Sequence, residues 1–251
     1  MSQPAIQSVS RAVSILRCFE GDACLSLADV SRMVGLHKST AAGIINTLKA
    51  EGFIEQDTTT GKLRLGLELF SLAVQARRGI VDICEPFLNE LLSLTGETVN
   101  LAVLDKNESV YIAKKESTHS VRISTNVGKH LPLHCTAIGK SILACMHRPE
   151  AEAIINQLEF RPYTENTITD KNRLLREIDR AMQEGVAYDH QEYQIGVSCV
   201  AAPLYYRKFS PIAAVSVSGP SFRIDDVRRR EIALSILEIS AKICRELARV
   251  G

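Results

Sequence analysis

The chain has 251 residues, 45% of them apolar and 24% charged, with a formal net charge of +1; that profile fits a globular protein with room for two domains and a sizeable core. No apolar run approaches the roughly 20 residues that cross a bilayer, and no basic segment leads into an apolar stretch at the N-terminus, so the cytoplasm is the expected location. A charge near zero leaves no whole-chain electrostatic footprint, so contact with nucleic acid must rest on a local basic face.

Ser10 to Phe19 opens the chain with a short amphipathic helix, its apolar face built from Ala12, Val13, Ile15 and Leu16 at helical spacing. Ser26-Leu-Ala-Asp29 has the form of a capping box, a hydroxyl followed by an acid three residues on. It starts a second helix, Leu27 to Val34, which Gly35 ends in the position of a left-handed cap. A third helix runs from about Lys38 to Glu51, with Ala41, Ile44, Ile45 and Leu48 as its apolar stripe. Phe53 to Asp57, Thr58 to Gly61 and Lys62 to Leu65 then read as strand, turn and strand.

Two helices, a glycine turn, a third helix and a hairpin make a winged helix-turn-helix. The polar face of the third helix is Lys38, Ser39, Thr40, Ala42, Gly43, Asn46 and Lys49, with no acid before Glu51. Hydroxyls, an amide and lysines suit phosphate oxygens and base edges in a major groove, with Lys62 and Arg64 on the wing for flanking phosphates. Residues 1–80 hold nine Lys or Arg against seven Asp or Glu, a modest surplus that leaves a protein-contact module as the other reading of this domain.

Leu67 to Ala76 is apolar and helical in pattern, with Leu67, Phe70 and Val74 on one face and Arg77-Arg78-Gly79 at its end, as the helix dipole prefers. Such a face wants a partner, and a second copy of the chain fits best, since a palindromic duplex needs two recognition helices. The next helix is expected after Asp82, with Pro86 in its first turn and its end at Thr95-Gly96. The organisation expected is a winged helix over 1–66, a linker and dimerisation helix over 67–80, and an effector domain over 81–251.

In the last part, Thr98 to Asp105, Ser109 to Lys115 and Val121 to Ser124 alternate as strands. Gly128-Lys-His-Leu-Pro-Leu-His-Cys-Thr-Ala-Ile-Gly-Lys140 is a broken loop running into a helix. Its small residues bring the backbone close to whatever lies above, and the free N–H groups of a helix start favour an anion. Helices over Glu150–Leu158 and Lys171–Glu184, strands over Val200–Tyr205 and Pro211–Ser218, and a long helix capped by Asp225 complete an α+β domain. Period two puts Ala214, Ser216 and Ser218 on one face; those hydroxyls face either solvent or, with Asp189 and Cys199, a small polar pocket.

Ser8-Val-Ser-Arg-Ala-Val-Ser-Ile-Leu, Gly35-Leu-His-Lys-Ser-Thr40, Leu48-Lys-Ala-Glu-Gly-Phe53 and Gly61-Lys-Leu-Arg-Leu-Gly66 resemble the N-terminal domain of IclR-type transcriptional regulators. Gly128-x-x-x-Pro132-x-His134-x-Thr136-Ala-x-Gly-Lys140, Asp189 through Pro203, and Ser216-Val-Ser-Gly-Pro220 resemble the effector domain of the same family. The resemblance covers nearly the whole chain and implies a GAF-like sensor joined to a winged helix. It implies a regulator, more often a repressor, of catabolic genes. Its partners would be a palindromic double-stranded DNA, a second copy in a dimer or dimer of dimers, and a small organic or sugar-derived acid. By resemblance, the effector contacts are the N–H groups of Ala137 and Ile138 with Asp189, Cys199, Ser216 and Ser218. No catalytic residue, cofactor or metal is implied. One departure stands out: where family members often carry His or Arg after the Ser-Thr pair, this chain has Ala42 and Gly43. A bidentate arginine–guanine contact is therefore unavailable there, and readout falls to Ser39, Thr40, Asn46, methyl contact through Ala42, or DNA shape. Gly43 also costs the helix about 1 kcal/mol relative to alanine.

Two other readings use the same residues. Cys135 beside His134, with Asp189, could form a nucleophile, base and orienter, although neighbours on an extended segment point opposite ways. His134, Cys135, His190 and Cys199 have metal-ligand chemistry but no ligand spacing. The seven cysteines are scattered, odd in number and without a C-x-x-C pair, which speaks against a disulfide framework or zinc knuckle.

Overall fold

Local signals build the N-terminal unit. Ser26 Oγ accepts from Asp29 N at 3.2 Å and donates to its carboxylate at 2.6 Å, closing the capping box. The computed structural model describes residues 6–20, 24–69, 71–72, 79–207 and 210–250. Its chain divides into two compact units, 1–78 and 79–251.

In the first unit, α1 spans Gln7–Arg17, α2 Leu27–Met33 and α3 Lys38–Ala50. Gly35, at φ +64°, ends α2 as expected, with Gly35 N donating to Arg32 O and Leu36 N to Ser31 O, the double bond pattern of a left-handed helix stop. Strands β1 (Ile54–Gln56) and β2 (Leu63–Leu65) form the wing, and Leu25 exchanges both backbone bonds with Leu63. Ile15, Val30, Ile45, Leu48, Ile54 and Leu63 form one small core. Val13, expected inside, is exposed, and only Ile15 of α1 is fully buried. Of the expected Leu67–Ala76 helix, residues 67–69, 71 and 72 are helical; positions 70 and 73–78, including Phe70, Val74, Arg77 and Arg78, lie outside the described residues.

In the second unit, α4 is Ile80–Thr95, closed by Gly96 at φ +72°. It starts before Asp82 because Ile80, Val81 and Ile83 pack against the core. Pro86 therefore sits in the second turn, where it removes one helical hydrogen bond. The chain continues through β3 (Thr98–Asp105), β4 (Glu108–Lys115), β5 (His130–Pro132), α5 (Ala137–Ala144), α6 (Arg148–Ile155), α7 (Lys171–Glu184), β6 (Ala187–His190), β7 (Val197–Arg207), β8 (Ser210–Pro220) and α8 (Asp226–Val250). Among the described residues no helix is long and apolar enough to cross a membrane.

The six strands form one antiparallel sheet in the order β5-β4-β3-β8-β7-β6. The strand expected over Val121–Ser124 is not formed. The edge position beside β4 goes instead to His130–Pro132, within the stretch expected as loop. Val121 stays exposed, so a strand there would have had no face to bury. Alternation then separates two layers. Val99, Leu101, Val200, Ala202, Val215 and Val217 face α4 and α8 in the larger core. Ala102, Ala201 and Ala214 face the other way, toward Ala137, Ile138 and Ile142 of α5. The small alanines let α5 lie close to the sheet, and α7 covers it from outside. All eight residues of α5 are buried.

Candidate functional site

Strand register assembles the first site. Thr98 pairs with Ser218, Ser218 with Cys199, and Cys199 with Asp189, while Asn100 and Ala201 flank Ser216. These residues come from four strands and share the face toward α5. Ser216 and Ser218 are each 2% exposed and Asp189 4%, so the pair faces a pocket rather than solvent. A cleft of about 550 Å³, measured out to its mouth, lies over this face. Ala137, Ile138, Asp189, Cys199, Ser216 and Ser218 all line it. The structure thus brings together every residue expected there.

The start of α5 closes one wall. Thr136 Oγ1 accepts from Gly139 N at 3.1 Å and donates to Pro132 O at 2.7 Å, so this hydroxyl is used up as the helix cap. The N–H groups of Ala137 and Ile138 come before any helical acceptor and remain for a ligand. Gly139 serves packing, not ligand approach: a Cβ there would lie 2.4 Å from Leu133 Cα.

Polar atoms on the floor are partly satisfied. Thr125 Oγ1 donates to Asn100 Oδ1 at 2.6 Å, and Asn100 Nδ2 to Ser218 Oγ at 3.4 Å. Ser216 Oγ is buried without a partner, a costly state for a hydroxyl. Asp189 Oδ1 accepts from Glu192 N at 2.7 Å. Burial, and then the nearby Glu192 charge, push the Asp189 carboxyl up to about 7. Behind this wall Lys140 Nζ pairs with Glu192 Oε1 at 2.6 Å, with 1% and 5% of the two side chains exposed. Glu192 thus has the buried ammonium as its partner, and among the described residues Asp189 has no ion pair of its own beside it.

Several lining residues escaped sequence reasoning. Tyr111, Lys129, Tyr193 and Gln194 also face the cleft, and Lys129 Nζ lies 5.2 Å from the Tyr193 ring centroid. Lys140 had a signal, a lone cation inside an apolar helix, and so had Glu192, a second acid three residues after Asp189. Tyr193 and Gln194 had none, because the turn after β6 carries them in.

Cys135 and His134 are not poised for nucleophilic chemistry. Burial pushes the Cys135 thiol well above its ordinary range, which makes it inert. His134 is buried, held by Arg161 O at 3.1 Å and packed 5.4 Å from the Phe160 ring; burial lowers its pKa. Among the described residues no group of three His, Cys, Asp or Glu is placed to hold a metal ion.

The second site is the outer face of α3. Lys38, Ser39, Thr40, Gly43 and Asn46 are exposed, and Ala42 and Lys49 are half-buried. Lys49 Nζ donates to Gln56 Oε1 at 2.6 Å, tying the helix to the wing. On the wing Lys62 and Arg64 are exposed, but Arg64 is engaged by Glu55 across the hairpin at 2.8 Å. Lys62 is thus the freer of the two wing cations.

Residues 8–58 match the IclR helix-turn-helix domain, and residues 72–245 match the bacterial transcriptional regulator IclR C-terminal domain. The chain is 34% identical to the HTH-type transcriptional regulator XynR of Escherichia coli K12, over 97% of this chain and 98% of that protein. It is 33% identical to the HTH-type transcriptional repressor AllR of Salmonella typhi, over 90% of this chain and 85% of that one. In fold it is similar to the crystal structure of an IclR homolog from Microbacterium hydrocarbonoxydans complexed with 4-hydroxybenzoate, with a TM-score of 0.84, 23% identity, and coverage of 98% of this chain and 100% of that one. The chain belongs to the IclR family of helix-turn-helix transcriptional regulators, DNA-binding proteins rather than enzymes.

Proposed function

We propose that this regulator represses catabolic genes in the cytoplasm. It does so by binding a palindromic duplex as a dimer or dimer of dimers, and a small carboxylate in the cleft of the second unit controls that binding. The domain roles are the winged helix over 1–66, the linker and dimerisation segment over 67–80, and the effector domain over 81–251. One observation carries the reading: two free helix-terminal N–H groups and an orphaned serine hydroxyl line the same buried cleft. A carboxylate at Ala137 N and Ile138 N answers the helix dipole. Hydroxyls elsewhere on the effector reach Ser216, Ser218 and Asp189, whose carboxyl sits near its protonation midpoint at neutral pH and so does not impose a full second negative charge. Cys199 supplies the apolar remainder of the wall, and Lys129 at the mouth favours an anion.

Self-association is supported by an apolar stripe on α1. Ile6, Val9 and Val13 are exposed at helical spacing, and Leu67 is 77% exposed; a second copy would cover such a stripe. Lys38, Ser39, Thr40, Ala42, Gly43, Asn46 and Lys49 on α3, with Lys62 and Arg64 on the wing, are then the duplex-facing residues. AllR, itself named a repressor, supports the sign of regulation, and the 4-hydroxybenzoate in the structural neighbour supports a hydroxylated carboxylate.

Selection from a random duplex pool at fixed salt, followed by rebinding with a panel of carboxylates, tests this. The expected result is a palindrome with half-sites about 10 bp apart or a multiple of that, released or tightened by one acid. Purely salt-sensitive binding without sequence enrichment would reject it.

A further inference from the structure

Among the described glycines, Gly43 is the one that the fold itself does not explain. Seven described glycines hold positive φ, and at Gly66, Gly139 and Gly219 a Cβ would overlap a neighbour at under 3.0 Å. Gly79 is the N-cap of α4, where glycine is tolerated. Gly43 has none of these reasons. It lies in the interior of α3, outside the positive-φ set, and a Cβ built on it meets nothing within 4 Å. Alanine would fit the space and suit the helix better. If a glycine is needed there, the demand comes from outside the chain.

Its place on the helix says what the demand is. Ala41, Ile45 and Leu48 are the buried side of α3. At 3.6 residues per turn Gly43 lies opposite them, between Ser39 one turn earlier and Asn46 one turn later, all three exposed. Lys38 and Lys49 border this seam on one side, Thr40 and Thr47 on the other. An α-helix with its side chains is about 10–12 Å across and nearly fills a major groove about 12 Å wide. The side chain aimed at the groove floor therefore limits how deep the helix sits. Ser39 and Asn46 are short, and short side chains reach base edges only from a backbone that sits close.

We propose that Gly43 sets the depth of α3 in the major groove, and that its missing side chain is what lets Ser39 and Asn46 read bases in place of a long arginine. The inference rests on the assignment of α3 as the reading helix. The lysines at the border of the seam reach phosphates, so depth changes base contacts more than backbone contacts.

The test uses the full chain and the duplex selected by the wild type. Gly43→Ala is expected to keep or raise the melting temperature. Its affinity for that duplex falls at least tenfold, while its affinity for a scrambled duplex at the same salt is unchanged. Asn46→Ala, costly in the wild type, costs less than about threefold in the Gly43→Ala background, the non-additivity of residues that share one contact. Gly43→Ala binding the selected duplex as tightly as the wild type, or the two losses simply adding, overturns the proposal. A wild type that prefers no duplex removes the reading role of α3, and this inference with it.

Discussion

The candidate recognition groups of the first unit stand on an exposed helix face, whereas those of the second unit line the floor of a cleft and are buried in it. Lys38, Ser39, Thr40, Gly43 and Asn46 are exposed and pay little to remain unbound. Ser216, Ser218 and Asp189 are buried, and Ser216 Oγ lacks a partner. Buried polar groups without a partner are costly alone and respond strongly to a ligand that satisfies them. The difference suits the two tasks. A groove reader needs an adaptable exposed surface, whereas a small-molecule receptor needs a pre-formed concave one.

The contrast can be broken most easily at the two lysines. Lys140→Met leaves Glu192 buried without its cation, and unfolding by urea should show a loss of about 3–5 kcal/mol. The same change at exposed Lys38 should shift stability by less than about 0.5 kcal/mol. Equal losses at both would erase the distinction.

Gly139→Ala comes next. The new methyl would overlap the Leu133 backbone, so the denaturation midpoint should fall by the equivalent of about 1–3 kcal/mol. Gly43→Ala, in open space, should move it the other way. Ser216→Ala separates stability from binding: removing an unsatisfied hydroxyl leaves stability within about 1 kcal/mol or improves it, while titration with the identified effector should show affinity down about tenfold. A clear loss of stability instead would mean that the hydroxyl holds the sheet.

Stability should also depend on pH. The folded state holds Asp189 at about 7 against an ordinary 3.8, raised by burial first and Glu192 second. Between those values the native chain keeps a proton that the unfolded chain has lost. Stability from this group is therefore full at low pH and is lost as pH rises through about 4 to 7. Denaturation midpoints across that window should decline more steeply for the wild type than for Asp189→Asn; parallel curves would contradict the raised value. The smallest effect belongs to the wing. Glu55→Gln releases Arg64, so binding to a scrambled duplex should tighten by a few fold and the salt slope should steepen by about one contact or less.

Most of the first unit was legible because its signals are local. Ser26 and Asp29, Gly35, the stripe Ala41, Ile45 and Leu48, and Gly61 in the wing turn each act within a few residues. The side of α3 left polar by that stripe is therefore the side left to water. Val13 failed because periodicity marks an apolar face without saying whether this chain or another covers it. In the second unit the helix ends at Asp170 and Gly185 were equally readable, whereas the cap at Thr136 was not. Val121–Ser124 shows the limit: an alternating pattern proposes a strand, but a strand needs a neighbour and a face to bury, and His130–Pro132 took the edge.

Sequence alone determined most of the helices, the caps at Ser26, Gly35, Asp170 and Gly185, the winged helix-turn-helix and the fact that Ser216 and Ser218 share a face, because 3.6- and two-residue periods and cap chemistry are properties of adjacent residues. Tertiary structure decided that this face is the buried one. Cross-strand register set Asp189, Cys199 and Ser218 in one row, and the cleft drew in Tyr111, Lys129 and Tyr193. It also placed Lys140 against Glu192, 52 residues on. Pairings across such distances in the chain carry no local signature: they exist only once the antiparallel sheet has chosen its order and α5 has settled on its alanine-lined face.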